Sequence, residues 1–197
     1  LIASFLACFA LTSFGQGITG SAHDFSNNGW SGGEICIACH TPHHADIVNV
    51  TNAPLWNHEL SVAVYNLYDS PTFDGAGAIT QPTESSKLCL ACHDGSIALD
   101  NFGGTTTGTN YIAIPARVGF GGELADHHPV SFPYTTATAT TDGGLWDPAT
   151  TSSGLTGTIT TDMLFSDQMQ CASCHDVHDA AGNDALLLVS NASSALC

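Results

Sequence analysis

The chain has 197 residues and is strongly acidic: 18 Asp and Glu stand against Lys87 and Arg117 alone, for a formal net charge of −16. A basic footprint for nucleic acid is absent, and an anionic membrane surface would repel the chain. Only 10% of the residues are charged, so Thr, Ser, Asn and Gly carry much of the polar surface, and the acidity suits cationic partners, bound metal ions or simple solubility.

The first element, Leu1 to Leu11, is apolar, uncharged and too short to span a bilayer. It reads as the h-region of a secretory signal peptide without its basic n-region, with small residues for a signal peptidase in Ser13-Phe14-Gly15. Residues 1–15 are therefore expected to be a signal remnant, and 16–197 one secreted domain with no membrane insertion after cleavage. A membrane anchor is the alternative. A lipoprotein signal at Cys8 is disfavoured, because Phe9, Ala10 and Leu11 follow where a polar tether should begin.

Three copies of Cys-x-x-Cys-His come next: Cys36-Ile-Ala-Cys39-His40, Cys89-Leu-Ala-Cys92-His93 and Cys171-Ala-Ser-Cys174-His175. Cys197 closes the chain after Ala195-Leu196, a lead-in like Lys87-Leu88 before Cys89, so a fourth motif is expected to start there in a chain truncated at both ends. Two thiols three positions apart lie on one face of a turn, and the next histidine swings beneath them. That is the attachment signature of c-type haem, with two thioethers and one proximal iron ligand. Zinc ribbons pair Cys-x-x-Cys units and need no histidine after each, and disulfides need none either. Haem attachment outside the cytoplasm agrees with the signal segment and leaves no mature cysteine for a disulfide.

Between the motifs the spacers are unequal, which excludes a fixed-period solenoid. Residues 101–110 and 135–161 are rich in Thr and Gly and predict turns, loops or short exposed strands. Asp74-Gly75, Asp94-Gly95 and Asp142-Gly143 mark turns, and eight prolines interrupt longer helices. A calcium loop near Asp142–Asp147 lacks a standard spacing, and a turn is the better reading. The expected fold is a multihaem cytochrome c. It is mostly irregular coil, with short helices at the Cys-x-x-Cys-His motifs, a few small strands, and a haem row as the core. Trp30, Trp56, Tyr65, Tyr68, Phe73, Phe102, Phe120, Phe132 and Leu186 to Val189 would pack against it.

Removing the three proximal ligands leaves seven of the ten histidines. His43 and His178 both stand three residues past a proximal histidine, tethered on the wrong side of their own iron, so each must reach a neighbouring haem. His23, His58 and His128 complete the distal candidates, whereas His44 and His127, each adjacent to a candidate, are expected to be exposed. Spacing leaves the pairing open. Met163 and Met169 are too few to serve as general axial ligands. Bis-histidine haem has a lower potential than Met/His haem and no vacant position for a substrate, so electron transfer is expected rather than enzymatic turnover.

Several stretches, among them His23-Asp24-Phe25-Ser26, Ala53-Pro54-Leu55-Trp56-Asn57, Ser86 to Gly95, His128 to Phe132, Cys171 to His178 and Ser190 to Cys197, resemble outer-surface multihaem c-type cytochrome E. That family supplies the four-haem subunit of extracellular cytochrome nanowires in metal-reducing bacteria. The resemblance runs from about His23 to Cys197 and implies bis-histidine haems in a stacked row, little secondary structure and a homopolymeric filament. It further implies extracellular or cell-surface electron transfer to other redox proteins or external acceptors. It also places His23, on a glycine-rich N-terminal segment, on a haem of the adjacent protomer. A monomeric periplasmic shuttle is the alternative assembly. A multihaem reductase is the alternative chemistry, and it would need a five-coordinate haem that these regular motifs do not suggest.

Overall fold

A computed structural model of the protein describes residues 17–74 and 79–196, so the expected signal segment and Cys197 lie outside the described residues. Each motif begins with the same closure: the histidine N–H reaches back to the first cysteine's carbonyl, at 2.9 Å from His40 to Cys36 and 3.0 Å from His175 to Cys171. Only the second motif extends this turn into an α-helix, α1 (Glu84–His93). Pro82 lies just ahead of its Thr83 cap, Glu84 suits the helix N-terminus, and Gly95, at φ +72°, follows its end. The third motif is a 3₁₀ turn, Cys171–Ser173, and the first is a single turn, so a helix at every motif is not what forms.

The Thr-rich segment also departs from the loop expectation. It contains α2 (Thr136–Asp142) and α3 (Ile159–Asp162). The Thr135 hydroxyl accepts from the Thr138 N–H, and Thr158 and Thr161 satisfy each other's backbone in a capping box. Side chains that disfavour a helix interior thus start two short ones. The paired strands are β1 (Phe132–Pro133) and β2 (Gln168–Met169), antiparallel, with Phe132 opposite Met169. None of the described helices is long and apolar enough to cross a membrane.

Among the described residues, apolar side chains form three small clusters rather than one core. Leu88 and Ala91 of α1 meet Trp56 and Val50, whereas Leu90, on another face, meets Tyr65 and Leu124. Phe73, Phe132, Tyr134 and Ala139 form the third. The aromatics therefore have partners within the chain itself, and Phe120, expected inside, is exposed beneath the Arg117 guanidinium.

The N-terminal segment folds back onto the tail of the third motif. At Gly17, with φ +82°, a Cβ would run into the Asp179 backbone carbonyl, so only glycine permits this approach. Gly17→Ala should cost more than about 1 kcal/mol locally. Amide exchange across residues 18–28 should rise about fivefold or more, with α1 protection unchanged; unaltered exchange would show that the segment is not held at Gly17.

Candidate metal-binding histidine pairs

Each motif histidine faces a second histidine. His40 and His178 have ring centres 6.2 Å apart with planes 19° from parallel, and His128 and His175 are 6.4 Å apart at 21°. His23 and His93 stand 6.1 Å apart at 51°. Two imidazoles on opposite sides of one metal ion require about this separation: a metal–nitrogen bond of about 2.0 Å plus about 1.15 Å from nitrogen to ring centre, on each side, puts the centres about 6.3 Å apart.

Backbone carbonyls orient the motif rings. His40 Nδ1 meets the Pro54 carbonyl oxygen at 2.5 Å, His93 Nδ1 that of Ala116 at 2.8 Å, and His175 Nδ1 that of Ala185 at 2.8 Å. A carbonyl only accepts, so Nδ1 carries the proton and Nε2 keeps its lone pair for a metal. His178 is turned similarly, with Nδ1 3.5 Å from the Asp176 carboxylate.

Two of the facing histidines, His23 and His128, are disposed to remain neutral, as ligands must. Desolvation first, then His93 and His178, holds His23 below the usual histidine value, and its Nδ1 is buried without a hydrogen-bond partner. His128 is lowered by desolvation and then by His175, although the residue keeps an exposed edge. Burial, followed by the neighbouring Cys36, pushes the Cys39 thiol up to about 11, and burial also raises Cys92. Such surroundings suit neutral sulfur, as in a thioether, better than a thiolate. The six described cysteines form no disulfides.

The remaining candidates are placed differently. His58 is buried, with Nδ1 2.8 Å from the Glu59 carbonyl oxygen and Nε2 3.0 Å from that of Ala98. Each ring nitrogen thus faces a carbonyl, only one of which the single N–H of a neutral ring can serve, and Nε2 also lies 3.4 Å from the Cys92 sulfur. His43 and His44 are exposed at a cavity of about 540 Å³ shared with Trp56 and His58, and His43 is not paired with any of the three described motif histidines. His127 is half-buried, its Nε2 accepting from the Gly119 N–H. Within the single chain His23 stands against His93, which does not bear on its expected reach to a neighbouring protomer. Among the described residues, no three His, Cys, Asp or Glu side chains converge to hold a metal by themselves.

Sequence reasoning saw Asp94-Gly95 only as a turn. Asp94 is 2% exposed and accepts from Ser61 Oγ, from Tyr65 Oη at 2.7 Å, and from the Ser96 N–H and hydroxyl, both at 2.7 Å. This neutral donor set satisfies the carboxylate and holds the chain leaving His93.

No known protein-family profile matches the chain, and no curated protein is significantly similar to it in sequence.

Burial raises the Tyr65 hydroxyl above its ordinary value of 10; Ser61 opposes the rise and Asp94 adds to it. The folded state therefore holds that proton more tightly than the unfolded chain does. Its stabilisation is complete below pH 10 and is lost as pH rises through the raised value. Tyr65→Phe should cost about 1–2 kcal/mol near neutrality, because Asp94 keeps three other donors. Denaturant unfolding at about pH 8 and about pH 11 should show a smaller alkaline loss in Tyr65→Phe than in the parent. Equal losses would mean that Tyr65 does not supply the alkaline term.

Proposed function

We propose that the chain is a secreted multihaem c-type cytochrome and an electron carrier. Its haems are held covalently by Cys36 and Cys39, Cys89 and Cys92, and Cys171 and Cys174, with a further attachment beginning at Cys197. The observation that supports this reading best is the facing of each Cys-x-x-Cys-His histidine by a second histidine 6.1–6.4 Å away, with each motif Nδ1 turned to a carbonyl. Two imidazoles supply only two ligands. A porphyrin supplies the other four, and the paired cysteines beside each motif histidine tether it.

Bound haem would contribute a reversible one-electron couple with both axial positions filled. The chain's own residues do the rest. His40 with His178, His93 with His23, and His175 with His128 would hold the haem irons, and the Pro54, Ala116 and Ala185 carbonyls would raise the basicity of the motif rings. His178 lies three residues past His175 yet faces His40, so one short segment joins two sites. The resemblance to filament-forming cytochromes extends the proposal to end-to-end assembly at the cell exterior, with redox proteins and external acceptors as partners; a head-to-tail contact is what an open filament needs.

The oxidised protein should show low-spin ferric haem throughout by electron paramagnetic resonance and bind little carbon monoxide when reduced. His178→Ala should turn one haem high-spin, the one on the peptide bearing Cys36 and Cys39, whereas His43→Ala should leave the three described sites low-spin. A fully low-spin His178→Ala protein would refute the pairing, and a matured protein without covalent haem would refute the function.

A further inference from the structure

The Cys171–Ser173 turn of the third motif packs against α1, which carries Cys89 of the second, although the two motifs are far apart in sequence. A buried polar cluster holds them there. Ser86, Ser131, Gln170 and Ser173 are each at most 1% exposed. Gln170 Oε1 accepts from the Ser86 hydroxyl at 2.5 Å and from the Ser131 hydroxyl at 3.1 Å. The Ser86 oxygen in turn accepts from the Cys171 N–H at 3.0 Å, and the Gln170 N–H donates to Ser173 Oγ at 2.8 Å. Gln170 Nε2 is satisfied by Thr83 Oγ1 at 3.2 Å and Gln168 Oε1 at 3.0 Å.

The placement of this cluster is specific to the sulfurs. Ser86 stands one helical turn before Cys89 on the same face of α1, and Gln170 directly precedes Cys171. An apolar contact between α1 and the Cys171–Ser173 turn would tolerate sliding. Directional hydrogen bonds among fully buried groups do not, because each lost partner leaves an unsatisfied atom.

We propose that the Ser86–Gln170 clasp is a positioning device that fixes how closely the haem groups carried by the second and third motifs approach. This rests on the haem reading above. Each sulfur would be the point from which one thioether-linked macrocycle starts, so fixing the Cys171 turn on α1 through Ser86 sets the separation of the two edges. Electron exchange between them, in which one iron is oxidised as the other is reduced, falls steeply with that separation. Ser86 and Gln170 act through the cysteines and touch no reacting atom.

The test uses the full chain, matured with covalent haem, as parent, Ser86→Ala and Gln170→Ala. Neighbouring haems give a two-signed circular-dichroism band in the Soret region whose amplitude depends on their mutual distance and orientation. Both variants should retain the parent's haem count by mass and its low-spin spectrum while the band amplitude falls at least twofold. Ser86→Ala, which removes one oxygen, is the deciding variant. If it carries all its haem with the parent's band, the clasp does not set the spacing; if it loses haem, the clasp serves attachment instead, and either result overturns the proposal. Absence of covalent haem from the parent would overturn the haem reading itself.

Discussion

A carbonyl oxygen facing Nδ1 decides what each motif histidine can do. Once the Pro54, Ala116 or Ala185 carbonyl accepts a hydrogen bond from Nδ1–H, the lone pair lies on Nε2 and the ring can turn only so far. The rest of the architecture serves this constraint. Each motif turn delivers its histidine beside two thiols, and the intervening loops return carbonyls and second histidines to the same three places. Pro54 comes from the loop after the first motif, Ala116 from the 3₁₀ turn Ile114–Ala116, and Ala185 from the turn Asp184–Leu186. Irregular backbone suits this task, since loop carbonyls are not committed to a helix or sheet ladder.

So little regular structure requires other means of holding the chain. Two of the three modest apolar clusters among the described residues share α1, each on a different face. Buried polar groups tie the loops together: Asp94 gathers Ser61, Tyr65 and Ser96, and Gln170 gathers Ser86 and Ser131. Exposed carboxylates cap turns locally. Asp147 and Asp162 lie below the usual carboxylate range because of Thr136 and Ser153 respectively, so part of the acidity performs turn-making rather than attracting partners. Lys87 and Arg117 both lie near the second motif, Arg117 beside the Ala116 carbonyl that orients His93.

The motif histidines and the candidates that face them, His23, His128 and His178, were legible from residue type and ligand demand. Their pairing was not, because His178 meets His40 through a fold-level approach that no local spacing encodes. His58 was a ligand candidate because Trp56 stands nearby, and the Glu59 and Ala98 carbonyls that its nitrogens face are invisible in a sequence. The Thr-rich stretch misled for a local reason: threonine disfavours a helix interior yet caps one well, and Thr135 and Thr158 sit at caps. Gln170 and Ser86 gave no signal beyond standing near cysteines. The backward fold of the N-terminal segment depends on one glycine among several, and only its contact with Asp179 sets Gly17 apart.

The central claim is that each pair of facing histidines grips one metal ion from opposite sides. An experimental density map of the protein purified from its native source, with the metal identified by anomalous scattering at the iron edge, tests it most directly. The account predicts iron midway between His40 and His178, between His93 and His23, and between His175 and His128, each within a macrocycle bonded to the two adjacent cysteine sulfurs. Iron absent from these midpoints, with the cysteines instead joined as disulfides or gathered around zinc, would contradict it.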